Sequence, residues 1–277
     1  MGAGDRAVAL PRTSTPDLQL ARRIRTRPFV HTNVSMKDSE GSAYVPRDRS
    51  LWLADDNARR IYEVNPVTGS LKRSIGRSRF EAARRFGGGS TAGPARTLDM
   101  ESIAYDRHHD ALYVFSGSCC SSSVKPTVFR LKRNARGNLV VESFQPLPRS
   151  SNYTAAAWNA ANGRIYVGYG ADLRTFNYVT DRVGPTFRVP DLIGITGMSF
   201  TPDGADLFVT TNTERLRRVR WSTKRLVMGW TFDLTRFGIH DARAVEYLGG
   251  RFYASDGDDA RANADPRKYA VSVFDVS

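Results

Sequence analysis

An all-β fold, a five-bladed β-propeller, is what this 277-residue sequence predicts. The first observation is a block that recurs five times: a short apolar strand ending in an aromatic, a turn, then a second apolar-aromatic strand. The copies read DSEGSAYVPRDRSLWLAD from Asp38, DMESIAYDRHHDALYVFS from Asp99, NYTAAAWNAANGRIYVGY from Asn152, GITGMSFTPDGADLFVTT from Gly194 and DARAVEYLGGRFYASD from Asp241. The second is spacing. The second-strand aromatics Trp52, Tyr113, Tyr166, Phe208 and Tyr253 lie 61, 53, 42 and 45 residues apart, the period of a propeller blade. The third is turn chemistry between the strands, such as Asn65-Pro66, Thr68-Gly69 and Arg136-Gly137-Asn138, which punctuates further strands in each copy.

Blade one continues as RRIYEVNPVTGSLKRSI, blade two as TVFRLKRNARGNLVVESF, blade three as LRTFNYVTDRVGPTFRV and blade four as RLRRVRWSTKRLVMGWTF. Each therefore has four strands. Blade five has only one more strand, KYAVSVFDVS, after its opening pair, while Leu18 to Ile24 forms a strand with no blade of its own. The economical solution is closure of the ring, with the N-terminal strand completing the last blade and removing an exposed edge. Six blades are the alternative. The extra blade would have to fit the 61-residue interval, where RFEAARRFGGGSTAGPAR is Gly-rich and helix-like. Residues 1–17, rich in polar residues, Gly and Pro, are expected to be disordered, with residues 18–277 forming one domain.

Composition narrows the function classes. The net charge is +13, and 35 of the 41 basic residues are Arg. They are scattered rather than gathered into a tract, and no DNA- or RNA-binding signature accompanies them, so nucleic acid is an unfavoured partner. No apolar run is long enough for a transmembrane helix. The N-terminal segment lacks the apolar core of a signal peptide, yet resembles what remains after removal of one. A secreted or periplasmic location is expected, with cytoplasmic as the alternative. A monomer is expected.

Aligning the copies locates a candidate site. Four residues before the first-strand aromatics Tyr44, Tyr105, Trp158, Phe200 and Tyr247 stand Glu40, Glu101, Thr154, Thr196 and Arg243. Two residues earlier stand Asp38, Asp99, Asn152, Gly194 and Asp241. Strand side chains alternate, so positions two apart share a face. The first strand of each blade lines the channel, and these ten positions form two polar tiers near one mouth. Turn chemistry explains the outer tier. Glu40 and Glu101 are harder to explain that way, because an unpaired buried carboxylate is costly. Three arrangements are open: an ion pair to Arg243, a bound Ca²⁺ or other divalent cation on Glu40, Glu101, Asp38 and Asp99, or separate solvated carboxylates.

Loops after the second strands open at the same mouth. They carry Asp55-Asp56-Asn57, the adjacent Cys119 and Cys120, and an acidic stretch with Asp256, Asp258 and Asp259. Adjacent cysteines make neither a Cys-x-x-Cys motif nor a full zinc site; free thiols and a vicinal disulfide are both open. His240 beside Asp241 is the one histidine placed near the mouth, and an acid/base role for the pair is conceivable. No nucleophile elbow, His-Glu-x-x-His motif or phosphate-binding loop is present.

The segments DSEGSAYVP and DMESIAYD resemble the blade-entry signature of SdiA-regulated-domain and phytase-like (esterase-like) propellers. The segment SLWLADDNARRIYEVNPVTGSL is similar to blades of gluconolactonase- and strictosidine-synthase-like propellers. The resemblance implies a divalent cation held in the channel by blade-entry carboxylates, a role it carries to Glu40 and Glu101. The further Asn and Asp ligands of the lactonases have no counterpart, since Arg243 and two Thr stand in equivalent places. The expectation is a propeller that binds a small polar ligand or Ca²⁺ through Glu40, Glu101, Thr154, Thr196, Arg243 and the Cys119–Cys120 loop. A metal-assisted esterase or lactonase, with His240 and Asp241 moving the proton, is the alternative, and a protein-interaction scaffold is the third reading.

Overall fold

The computed structural model describes residues 16–25, 39–86, 98–117, 126–147, 152–178, 180, 182–257 and 270–276. Its strands form five antiparallel four-stranded sheets. Blade one comprises β2 (Ser39–Val45), β3 (Ser50–Asp55), β4 (Arg60–Val64) and β5 (Leu71–Ile75). Blade two follows with β6 (Met100–Asp106), β7 (Ala111–Ser116), β8 (Thr127–Arg133) and β9 (Leu139–Pro146), after a helix α1 (Arg77–Phe86). Blade three has β10 (Ala155–Asn159), β11 (Arg164–Tyr169), β12 (Asp172–Asn177) and the two-residue β13 (Arg182–Val183). Blade four has β14 (Ile195–Phe200), β15 (Asp206–Thr211), β16 (Arg215–Arg220) and β17 (Arg225–Asp233). Blade five joins β18 (Ala242–Leu248), β19 (Arg251–Asp256) and β20 (Ala270–Val276) to β1 (Leu18–Arg25). The expected closure is present, with Leu18 opposite Val276 and Ile24 opposite Val271. There are five blades, and the helix-like segment supplies a helix rather than a sixth. Phe80 of α1 is fully buried, 5.1 Å from the Phe129 ring, so α1 docks against blade two. The expected disordered N-terminal segment lies almost wholly outside the described residues.

The second-strand aromatics do the packing that their recurrence implies. Trp52 and Phe208 are fully buried, and Tyr113, Tyr166 and Tyr253 nearly so. Each faces a first-strand residue across the sheet: Ala43 opposite Trp52, Ala104 opposite Tyr113, Ala157 opposite Tyr166, Ser199 opposite Phe208, and Glu246 opposite Tyr253. Four small residues accept four large rings, which keeps the crowded inner strands close to the axis. The fifth is a glutamate. Five apolar clusters fill the five joints between neighbouring blades. Full burial of one such ring contributes about 3 kcal/mol, so these joints are the main apolar term holding the ring.

Glycine permits the tightest approaches. A Cβ on Gly41 would lie 2.6 Å from the Ser102 Cα, and one on Gly197 2.8 Å from the Ala244 Cα. Both are backbone contacts that cannot swing aside.

Candidate functional site

A repeated irregularity places the polar side chains. The first strand of four blades carries a register shift at one equivalent point, between Ser39 and Gly41, Met100 and Ser102, Ile195 and Gly197, and Ala242 and Ala244. The extra residue in each is Glu40, Glu101, Thr196 or Arg243. A β-bulge leaves its extra residue outside the ladder and re-aims its side chain. The inner tier expected from the sequence is thus a ring of bulge residues, and simple alternation with the outer tier does not hold across it. Blade three has no such shift, and Thr154 precedes β10.

Hydrogen bonds at this end join every blade to the next. Asp56 Oδ1 accepts from the Met100 N–H at 3.1 Å, and the Ser102 hydroxyl donates to the Tyr153 carbonyl at 2.8 Å. Thr154 donates to the Ile195 carbonyl at 2.8 Å and Thr196 to the Ala242 carbonyl at 2.5 Å. Ser255 donates to the Ser39 carbonyl at 2.7 Å. The hydroxyl protons of Thr154 and Thr196 are therefore engaged with the next blade.

Two groupings occupy the mouth. In the first, Arg243 donates through Nε to Asp241 Oδ1 at 2.7 Å and through Nη1 to Glu40 Oε2 at 3.4 Å. Glu40 is buried and Arg243 half-buried, so the guanidinium bridges blades five and one. In the second, the Glu101 carboxyl hydrogen-bonds Asp99 and Asn152. Burial pushes Glu101 above the usual carboxylate range; the bonds to Asp99 and Asn152 oppose this, Asp56 adds to it and Arg243 opposes it. A Cβ on Gly117 would lie 2.1 Å from Asn152 Oδ1, 2.6 Å from Asp99 Oδ2 and 2.6 Å from Glu101 Oε1. Three oxygens from blades two and three converge on the space that glycine leaves open. Gly257 has the same place in blade five, where a Cβ would meet Asp241 Oδ2 at 2.7 Å. Both glycines donate their N–H to the blade-entry carbonyl, Gly117 to Asp99 and Gly257 to Asp241, each at 2.7 Å.

His240 is exposed, and its backbone N–H and that of Asp241 both donate to Asp256 Oδ1, at 3.2 and 2.8 Å. Its ring acts on Glu214, whose carboxyl is raised first by burial and then by Asp241, with His240 opposing. Burial is thus the leading cause for both Glu101 and Glu214, with Asp56 adding to the first and Asp241 to the second. Asp38, Cys119, Cys120, Asp258 and Asp259 lie outside the described residues. Among the described residues no group of three or more His, Cys, Asp or Glu side chains is arranged to hold a metal. The cradle over Gly117 contains two carboxylates and an amide oxygen, hard donors of the kind Ca²⁺ takes.

Glu214 and the role of Gly117 escaped the sequence reading. The signal for Gly117 was present, since a glycine follows the second strand in both blade two and blade five.

No family model matches the chain, and no curated protein matches it. Among solved structures it is similar to glutaminyl cyclase of Myxococcus xanthus, with a TM-score of 0.64, 9% identity, and 94% of this chain and 97% of that one covered. It is also similar to a luciferin-regenerating enzyme, with a TM-score of 0.53, 11% identity and 95% of both chains covered. The likeness is one of fold, and both neighbours are propeller-type enzymes. No helix among the described residues is long and apolar enough to cross a membrane. The protein is a five-bladed β-propeller.

Proposed function

We propose that the mouth of the channel binds a small polar ligand bearing positive charge, and that Glu101 exchanges a proton with it. The convergence of Asp99, Glu101 and Asn152 oxygens over Gly117 carries this reading. Charge supports it: Glu40, Asp55, Asp56, Asp99, Glu101, Asp241 and Asp256 gather here in a chain that is otherwise strongly basic. Arg243 ion-pairs with Glu40 and Asp241 and holds them in place. That leaves the Asp99–Glu101 pair to take a ligand N–H. A carboxyl raised by burial is poised to accept or return a proton nearer neutrality than an ordinary glutamate. All five blades belong to one chain, so a monomer suffices.

A second reading rests on the same oxygens. They suit a Ca²⁺ ion, which when bound would polarise a ligand carbonyl for hydrolysis. Fold neighbours that are enzymes support catalysis in either form. Thermal melts with small amines, with CaCl₂ and with EDTA, on protein assayed for metal, separate the readings. A ligand at a hundred times its Kd raises stability by about 2.7 kcal/mol. A shift with amines that Glu101→Gln abolishes supports the first reading, and a Ca²⁺ shift reversed by EDTA supports the second. No shift with either class would sink both.

A further inference from the structure

Away from the channel, a groove of about 1150 Å³ runs along the perimeter between blades one and two. One wall is β9, the outer strand of blade two; the other is the end of β5 and the first turns of α1. Every residue from Leu139 to Phe144 lines it. Neighbouring strand residues point to opposite faces, so a groove lying on one face would touch only alternate residues. Contact with six in succession means that it follows the edge of β9. That edge is open, because β9 is the last strand of its sheet and pairs only with β8. Six residues of strand span about 20 Å, a length that suits an extended segment rather than a compact metabolite.

The wall facing β9 is basic. Arg60 donates from Nη1 to Ser74 Oγ at 2.8 Å, and its guanidinium lies over Gly76, where a Cβ would stand 2.9 Å from Nη2. A serine and a glycine thus position this cation, and neither neutralises it. Arg79 is exposed in the first turn of α1 and lines the same groove. Among the described residues neither Arg60 nor Arg79 makes an ion pair. The other charged groups lining the groove are matched, Arg73 with Glu63 and Glu142 with Arg130. The β9 side adds apolar surface. The register shift at Glu142 brings Val141 and Phe144 to one face, where both are half-buried against the cluster between blades one and two.

We infer that this groove takes an extended acidic peptide of a partner protein. Its backbone pairs with the β9 edge, its carboxylates meet Arg60 and Arg79, and an apolar side chain lies against Val141 and Phe144. Strand addition of this kind draws affinity from main-chain bonds and specificity from side chains. A second copy of this chain fits less well. The bulge at Glu142 resists a long flat partner strand, and a net charge of +13 opposes a like-charged copy. The groove is separate from the channel mouth, and the inference is independent of what the mouth binds.

The test is fluorescence anisotropy of the full chain with a dye-labelled, acetylated hexapeptide of alternating Glu and Val. Arg60→Gln with Arg79→Gln should weaken binding about tenfold, the size expected for two partly exposed ion pairs. Arg182→Gln with Arg225→Gln, at exposed positions on the outer strands of blades three and four, should leave it unchanged. Arg79→Gln alone should cost about threefold, and it replaces the first double variant if that one melts early. Two further peptides are N-methylated at alternate residues, one on the Glu and one on the Val positions. Alternate N–H groups of an extended chain point the same way, so one of these peptides should lose binding and the other keep it. Equal loss from both double variants, or equal binding by the two N-methylated peptides, would reduce the effect to attraction by a basic surface and overturn the inference. Absence of binding by the unmodified peptide would overturn it as well.

Discussion

At one end of the channel the five blades contribute two glutamates, two threonines and an arginine; at the other, four of five contribute a residue no larger than serine. The first end has Glu40, Glu101, Thr154, Thr196 and Arg243, four of them displaced from the ladder by a bulge. The second has Ala43, Ala104, Ala157, Ser199 and, alone among them, Glu246 in blade five. That carboxyl lines a cavity of about 40 Å³. It accepts from the Tyr44 N–H and the Ser199 hydroxyl, with Arg107 as the charged group acting on it. Ser199 in turn accepts from the Tyr247 N–H at 3.0 Å. Burial pushes Glu246 up to about 7, with Arg107, Tyr44 and Ser199 opposing. The difference shows two ways of keeping a carboxylate in a propeller axis. At the mouth, neighbouring polar groups and a guanidinium share the load among several residues. At the far end a single group is held by two hydrogen bonds and its charge is left to the solvent pH.

The largest effect should come from the narrow passage between the two ends. Gly41→Ala drives a methyl into the blade-two backbone, and a loss of about 3 kcal/mol, or roughly 6–12 °C in Tm, is expected by calorimetry. An unchanged Tm would mean that the ring can widen, and the contrast between the ends would lose its geometric basis.

Next comes Glu246. Its protonated form is favoured by folding, so its contribution is fully present below the ordinary value of 4.5 and is lost as pH rises through about 7. Glu246→Gln should therefore gain on the order of 2 kcal/mol over the parent at pH 8.5, after discount for partial exposure, and little at pH 4. Urea melts at the two pH values check the sign. A variant less stable at pH 8.5 would show that the ionised carboxylate is needed.

Arg243→Ala removes the cation between Glu40 and Asp241, and a loss of about 1 kcal/mol is expected for this half-buried pair, reduced in high salt. Salt titration of the melts distinguishes this from simple loss of packing. The smallest effect on stability is at Gly117, whose Cβ would press on flexible side chains rather than backbone. Gly117→Ala should shift Tm by under about 2 °C, yet abolish whatever binding the mouth shows. Retained binding would remove the oxygen cradle from the site.

The fold was legible because its signals are repeated: the recurring aromatics, the turns between them, and the orphan strand at Leu18 matched by the incomplete last blade. The polar ring was legible in composition and not in geometry. A bulge depends on register between two strands, and only the glycines at 41 and 197 hinted at the crowding that accompanies it. Glu246 was harder to see. In the string DARAVEY it looks like an ordinary outward strand residue, and its environment exists only once blade one packs beside blade five. Sequence alignment of the copies exposes differences between blades, whereas the joints between blades decide what those differences do.

The joining of β1 to β20 also sets the order in which this molecule can be made. Every other sheet is completed by strands close in sequence, but Leu18 must wait for Val276, 258 residues later. Such distant pairing is slow to form because the long loop must close first. Until then the ring is an open crescent, with the apolar faces of blades five and one unsealed and β20 without its outer neighbour. A chain truncated after residue 269, which lacks β20 as well, should stay open, giving early protease cleavage in blades one and five and later cleavage in blade three. The N-terminal strand acts as a latch in time as well as in space: it converts four finished blades and a fragment into a closed molecule at one late step.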